Sequence, residues 1–206
     1  MRLDLLMAEN WVPPDSRVLD LGCGDGALLD HLRRTRQVRG YGIEIDTDQI
    51  QNCVARGLNV IQHDLNEGLS RFQDHSFDMV FLTMALQVLQ HPDRLLMDML
   101  RVGREAVVTF PNFAYWRTRF YLTGRGQMPM SKALPYHWYD TPNIHLCTFY
   151  DFDALCRDKG IRILNRFSVN QEQDSGRLMR WIPNLFGEIA IYRVSLYDQD
   201  LVGCNR

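Results

Sequence analysis

The stretch that decides the fold of this 206-residue chain is Val18-Leu19-Asp20-Leu21-Gly22-Cys23-Gly24-Asp25-Gly26. Apolar residues surround an acid over 18–21, and glycine then occupies every second position before the apolar run that begins at Ala27. This pattern predicts a buried parallel strand, a tight glycine loop and the start of a helix. Glycine suits such a loop because the backbone turns sharply and a ligand can approach it without meeting a Cβ. The amides and the positive dipole end of the helix then point at whatever lies beside the loop.

The glycine spacing distinguishes between kinds of nucleotide site. A dinucleotide fingerprint needs G-x-G-x-x-G, but this chain has G-x-G-x-G with Ala27 in the place of the third glycine. The stretch instead resembles motif I of the class I S-adenosylmethionine-dependent methyltransferases, whose usual form is close to VLDxGCGxG. That resemblance implies an α/β, three-layer Rossmann-like fold with a mostly parallel seven-stranded sheet and an antiparallel last strand. It also implies S-adenosylmethionine or S-adenosylhomocysteine as the ligand, and a glycine loop without a ligand is the alternative.

Composition limits the classes of function open to the chain. Its length allows one domain with a substantial core and is short for two, so we predict a single domain over 1–206. The net charge is −2 with no long basic block, which argues against a nucleic-acid or anionic membrane surface. Five cysteines without C-x-x-C spacing favour a reducing cytoplasm over a disulfide framework or zinc site. We expect no signal peptide, because Asp4 interrupts the apolar run at the N-terminus and no small-residue cleavage site follows, and no membrane span, because no apolar run approaches ~20 residues.

Further along the chain, strands alternate with helices. Apolar runs predict strands over 38–46, 59–62, 77–82, 105–110, 161–169 and 188–197, and periodicity predicts helices over 3–10, 47–57, 93–101 and 151–159. A polar loop is predicted over 170–177. The alternation indicates an α/β sheet with right-handed crossovers.

An insertion of about 111–149 follows the fifth strand and is rich in aromatic residues, proline and arginine. We predict a helix over 112–123 and then an irregular cap over the carboxyl edge of the sheet. Core packing beneath the cap is the favoured interpretation of its aromatic residues, which include Phe113, Tyr115, Trp116, Phe120, Tyr121, Tyr136, Trp138 and Tyr139.

Three acids fall near the carboxyl ends of predicted strands, where open parallel sheets bind ligands. Glu44 lies about twenty residues past the glycines, the distance expected of an acid that accepts from ribose hydroxyls; Asp46 is its rival, although Glu44 matches the family pattern. Asp64 is expected to accept from the adenine amine, with the backbone of His63 or Leu65 satisfying the ring. Asp20 and the loop amides are expected to hold the methionine end. The predicted ligand-binding set is Asp20, Gly22, Cys23, Gly24, Gly26, Glu44, Ile45, His63, Asp64, Leu65 and Thr83.

No catalytic residue or metal ligand is assigned from the sequence. Methyl transfer is a direct displacement that depends largely on proximity, so a base is optional. The segment 83–89, where methyltransferases place substrate-facing residues, is nearly all apolar and lacks the Asn/Asp-Pro-Pro-Tyr motif. Gln87 is its one polar candidate, and it either faces the ligand or lies on a helix surface. His137, His145 and Cys147 match no zinc spacing.

The insertion carries a second, more specific resemblance. Its segments Thr109-Phe110-Pro111-Asn112-Phe113, Trp116-Arg117, Met128-Pro129, Lys132-Ala133-Leu134-Pro135-Tyr136 and Trp138-Tyr139-Asp140-Thr141-Pro142-Asn143-Ile144-His145-Leu146-Cys147-Thr148 resemble those of the MetW methionine-biosynthesis proteins. The resemblance covers nearly the whole chain and implies a bacterial protein whose partner is homoserine O-acyltransferase of the MetX type.

Two hypotheses about function follow from this second resemblance. In the first, the chain is a regulatory subunit that binds the acyltransferase, with the insertion as its candidate contact surface and the S-adenosyl ligand acting as a signal. In the second, it is a methyltransferase of a small molecule, and the cap closes over the acceptor. The apolar segment after the fourth strand favours the first.

Overall fold

The computed structural model describes residues 3–131, 133–170 and 181–197. In chain order the elements are α1 (Leu3–Glu9), β1 (Arg17–Leu21), α2 (Ala27–Arg36), β2 (Arg39–Glu44), α3 (Thr47–Ala55), β3 (Asn59–Gln62), β4 (Phe77–Thr83), α4 (Pro92–Val102), β5 (Gly103–Pro111), α5 (Trp116–Arg125), α6 (Phe149–Asp158), β6 (Ile161–Val169), α7 (Pro183–Phe186) and β7 (Ile189–Leu196). Short 3-10 turns occur at Leu65–Glu67 and Leu86–Val88. None of the helices in this part of the chain is long and apolar enough to cross a membrane.

All seven strands form one sheet in the order β3-β2-β1-β4-β5-β7-β6. Strands β1 to β5 are parallel, and β7 runs antiparallel to both of its neighbours, β5 and β6. This confirms the predicted mixed α/β sheet with an antiparallel last strand. The chain leaves β1 towards β2 and later returns to β4 on the other side of β1. The strand order therefore reverses beside the glycine loop, which is where such sheets bind ligands.

Alternate residues of the central strands enter two apolar clusters, one on each face of the sheet. Leu19 and Leu21 pack into the cluster that includes α4 and α6, whereas Val18 packs into the cluster that includes α1 and α2. Both faces of β1 are thus covered, as expected for a strand in a three-layer α/β fold. The arrangement leaves the strand ends, and not the faces, available for a site.

Several element boundaries differ from the sequence-based expectation, and three of these differences have a clear local cause. Strand β2 ends at Glu44 rather than at 46, because Asp46 becomes the N-cap of α3. Helix α5 begins at Trp116 rather than at 112, because the Asn112 side chain accepts from the Ala114 amide and turns the chain first. Helix α6 begins at Phe149, two residues early, behind a capping box in which Thr148 and Asp151 bond each other. Most of the loop predicted over 170–177 lies outside the described residues.

Candidate functional site

The glycine loop has the backbone conformation that its sequence requires. Gly22, Gly24 and Gly26 all have positive φ angles, of 67°, 54° and 74°. A Cβ on Gly26 would lie 2.4 Å from Leu58 Cδ1, whereas a Cβ on Gly24 would meet no atom within 4 Å. The loop is therefore packed on one side at Gly26 and open at Gly24, so a ligand has room to approach the backbone there.

Glu44 lies directly against this loop. Its Oε2 accepts from the Gly24 amide at 2.8 Å, and its Oε1 accepts from the amides of Ile45 at 2.8 Å and Asp46 at 3.0 Å. The rival acid is used differently, since Asp46 Oδ1 accepts from two amides in the first turn of α3. Glu44 is thus the acid that the structure brings to the loop, and the exposed Ile45 side chain follows it at the same edge.

The end of β3 places Asp64 and Leu65 at this edge, whereas the amide and ring of His63 form hydrogen bonds within the fold. Asp64 Oδ1 accepts from the backbone and side chain of Asn66, and so caps the following 3-10 turn. The His63 amide donates to the carbonyl at the end of β2 at 3.1 Å, and its buried ring lies 2.8 Å from the Gly68 carbonyl. Of the two amides predicted to face an adenine ring, that of Leu65 is the better candidate.

Two buried thiols support the loop from behind, and the sequence indicated only one of them. Cys23 Sγ lies 3.9 Å from Cys53 Sγ, and the Cys53 thiol donates to the Gly24 carbonyl at 3.1 Å. Burial raises the pKa of both thiols, so both remain neutral. Asp20, on β1, is 1% exposed. Sequence analysis missed Cys53 because its role depends on how α3 packs against a loop 30 residues earlier.

The turn after β4 forms the other wall of this edge. Met84 follows Thr83 with φ at +56°, and its amide donates to the Thr109 carbonyl at 2.9 Å and to Thr109 Oγ1 at 3.0 Å. The next side chain reaches the glycine loop, since Ala85 Cβ lies 3.6 Å from the place that a Cβ on Gly22 would occupy. Met84, a non-glycine residue with a strained backbone, is therefore held between the glycine loop and β5.

Gln87 connects this turn to the cap. The side chain is 8% exposed, which overturns the alternative that it lies on a helix surface. Its Nε2 donates to the Met84 carbonyl at 2.8 Å, while its Oε1 is buried without a partner among the described residues. Its backbone carbonyl accepts from the amides of Ile144 at 2.9 Å and His145 at 3.0 Å. Gln87 thus joins the cap to the candidate site, and its Oε1 is a buried acceptor without a partner among the described residues.

The aromatic residues of the cap are mostly not core residues. Tyr115 is buried, but Phe120, Trp138 and Tyr139 are 72%, 73% and 68% exposed. The prediction of core packing is therefore wrong for Phe120, Tyr136, Trp138 and Tyr139, all of which are exposed, and is confirmed for Tyr115. For the exposed residues beyond α5, the reason is that the described part of 126–147 forms no helix or strand apart from one bridge to the fold, so no second layer covers these side chains.

Known proteins resemble this chain in sequence and in fold. The family described as "Methionine biosynthesis protein MetW" matches residues 2–194. This chain belongs to the MetW family. It is 38% identical over 153 residues to the bifunctional methionine biosynthesis protein MetXA/MetW of Rhodopirellula baltica. That match covers 70% of this chain and 25% of the relative, so the chain spans about a quarter of that protein.

Solved structures show that the MetW chain has the class I methyltransferase fold. An S-adenosylmethionine dependent methyltransferase from Mesorhizobium loti superposes with a TM-score of 0.67 at 16% identity, covering 92% of this chain and 95% of that one. The [4+2]-cyclase SpnF superposes with a TM-score of 0.66 at 19% identity, covering 94% and 80%. A protein named as a cyclase shares the fold, so the fold alone does not establish methyl transfer.

Proposed function

We propose that this chain binds S-adenosylmethionine or S-adenosylhomocysteine at the carboxyl ends of β1 to β3. We further propose that it supports or regulates homoserine O-acyltransferase of the MetX type as its partner subunit, in the bacterial cytoplasm. The observation that carries the ligand assignment is the approach of the Glu44 carboxylate to within 2.8 Å of the Gly24 amide, beside open space. The loop and the acid thereby lie together, which supports their assignment to one ligand site.

The residues of this edge suit an adenosyl ligand. Each carboxylate oxygen can accept more than one hydrogen bond, so Glu44 can accept from ribose hydroxyls while it keeps its backbone donors. Asp64 and the Leu65 amide offer an acceptor and a donor for the adenine edge. Buried Asp20 suits the cationic amino end of the ligand, because an opposite charge stabilises a desolvated carboxylate.

The partner assignment is supported by the fused relative. In the Rhodopirellula baltica protein a MetXA portion and a MetW portion are named as one bifunctional chain. Covalent linkage holds two modules at an effective concentration in the mM range for a short linker, which favours even a weak association. Two separate chains of the same families would reach the same arrangement by docking.

Calorimetric titration with S-adenosylhomocysteine tests the ligand site. Glu44→Gln should weaken binding at least tenfold, because the carboxylate acceptor is lost. Asp46→Asn is the matched control, since Asn caps a helix about as well as Asp and should leave affinity unchanged. If Asp46→Asn weakens binding and Glu44→Gln does not, the site is assigned to the wrong acid. The partner assignment is tested by measuring acyl transfer to homoserine with and without this chain, across a titration of S-adenosylmethionine. If the rate of acyl transfer changes neither with this chain nor with S-adenosylmethionine, the proposed partnership is wrong.

A methyltransferase of a small molecule is the second candidate, and the buried, unpartnered Oε1 of Gln87 favours it. This oxygen lies on the turn that borders the glycine loop, where an acceptor molecule could donate to it. Transfer of a labelled methyl group from S-adenosylmethionine into the small-molecule fraction of a cell extract would support this function. Absence of transfer, with intact S-adenosylhomocysteine binding, would leave the regulatory function as the better account.

A further inference from the structure

The cap carries an apolar hollow that opens to solvent. Its volume is about 210 Å³, and its lining includes Phe113, Leu134, Tyr136, Trp138, Ile144 and Leu146. Three of these side chains are also largely exposed, with Trp138 at 73%, Ile144 at 58% and Leu146 at 47%. Pockets for small molecules usually measure ~300–1,000 Å³, so this hollow is better suited to a single large side chain. An exposed apolar surface of this kind is typical of an interaction site.

The sequence around the hollow is basic. Residues 111–149 contain three arginines and one lysine against a single acid, Asp140, although the whole chain has a net charge of −2. Arg117 lies 5.5 Å from the Trp116 ring centroid, and Arg125 lies 5.3 Å from that of Tyr121. Arginine, tryptophan and tyrosine are the residue types enriched among those that dominate binding energy at protein interfaces, and an arginine over an aromatic ring also gains cation–π attraction. The complementary surface should therefore be acidic around an apolar anchor.

We propose that this cap surface, consisting of the hollow and the exposed face of α5, is the docking site for homoserine O-acyltransferase. A large apolar side chain of the acyltransferase fills the hollow, and acidic residues around that side chain face the arginines of α5. Two observations support the acyltransferase as the protein that binds this surface: the relative named as a MetXA/MetW fusion, and the basic charge of the cap. This inference rests on the proposed function, which names the partner but not the surface.

The surface also has a route to the candidate ligand site. The Ile144 amide, next to the hollow, donates to the Gln87 carbonyl at 2.9 Å, and the Gln87 turn borders the glycine loop. A partner seated on the hollow therefore contacts a segment that is bonded to the wall of the ligand site. This connection gives a physical basis for coupling between ligand and partner, which by linkage acts in both directions.

Binding of purified, full-length acyltransferase from the same organism tests the surface. The chain is immobilised, and dissociation constants are measured for the wild type, Trp138→Ser and Arg125→Glu. Both side chains are exposed, so both variants should fold and bind S-adenosylhomocysteine as the wild type does. Each variant should weaken acyltransferase binding at least tenfold. Added salt should weaken the binding of the wild type. The matched controls are Val54→Ser for the apolar variant and Arg162→Glu for the charge variant. Val54 on α3 and Arg162 on β6 are both exposed and lie outside the cap, so both controls should bind the acyltransferase as the wild type does.

The outcomes distinguish failure of the proposed docking surface from failure of the proposed partnership. If the wild type does not bind the acyltransferase, the proposed partner is wrong and the docking site fails with it. If the wild type binds and both cap variants bind equally well, the docking surface alone is wrong. If the cap variants lose self-association but keep acyltransferase binding, the surface belongs to a second copy of this chain, and the proposal is overturned.

Discussion

Asn112, at the root of the cap, should be among the most sensitive positions for stability. Its side chain is 2% exposed, and its Nδ2 donates to the carbonyls of Asn184 at 3.0 Å and Gly187 at 2.7 Å. Its Oδ1 accepts from the Ala114 amide at 3.1 Å. One side chain thus ties the start of the cap to the turn that leads into β7. Asn112→Ala removes all three bonds and leaves their buried partners unsatisfied.

The size of the effect follows from those three bonds. A net loss of about 1 kcal/mol for each bond, with a further penalty for the buried groups left unpaired, gives about 4 kcal/mol. For a chain of this length that corresponds to a fall in Tm of roughly 8–16 °C. Urea unfolding followed by circular dichroism measures the free energy, and a thermal melt measures Tm. Asn112→Asp should be at least as destabilising at pH 7, because its carboxylate would face two carbonyls, and acid should partly restore it.

An exposed asparagine provides the control for this experiment. Asn59, at the start of β3, is exposed, and Asn59→Ala should change the free energy of unfolding by no more than about 0.5 kcal/mol. A loss below about 1 kcal/mol for Asn112→Ala, indistinguishable from that of Asn59→Ala, would refute the view that this network holds the cap.

Three further predictions concern acid stability, the packing of β2 against the glycine loop, and a glycine within α5. The hydrogen bond from His31 holds the pKa of Glu9 below its ordinary value of 4.5, so this stabilisation is present above pH 4.5 and is lost as pH falls through the folded-state pKa. Glu9→Gln should therefore be less stable than the wild type at pH 7, and urea unfolding at decreasing pH should show the difference shrinking; a constant difference would contradict this. A Cβ on Gly42 would lie 2.5 Å from Cys23 Sγ, so Gly42→Ala should lose about 1–3 kcal/mol and weaken S-adenosylhomocysteine binding. Gly124→Ala, where a Cβ meets nothing within 4 Å, should stabilise α5 by up to about 1 kcal/mol in the same assays.

Local sequence patterns predicted the elements and their order well. Apolar runs marked all seven strands of the sheet, and glycine at every second position of 22–26 marked the loop, because both depend on residues near one another in the chain. Helix starts were less accurate. At α5 the start depends on Asn112, whose amide group is held by carbonyls more than 70 residues away.

The sequence by itself therefore determined the α/β sheet, the glycine loop and a short set of acids at the strand ends. The family pattern already favoured Glu44 over Asp46, but only the tertiary structure showed that the Glu44 carboxylate reaches the Gly24 amide whereas Asp46 caps α3. It also placed Cys53 behind the loop and turned Trp138 towards solvent. Periodicity reports which side of an element is apolar, but not what lies opposite it. What lies opposite is set by contacts between segments far apart in the chain, and those contacts shape both the candidate site and the cap.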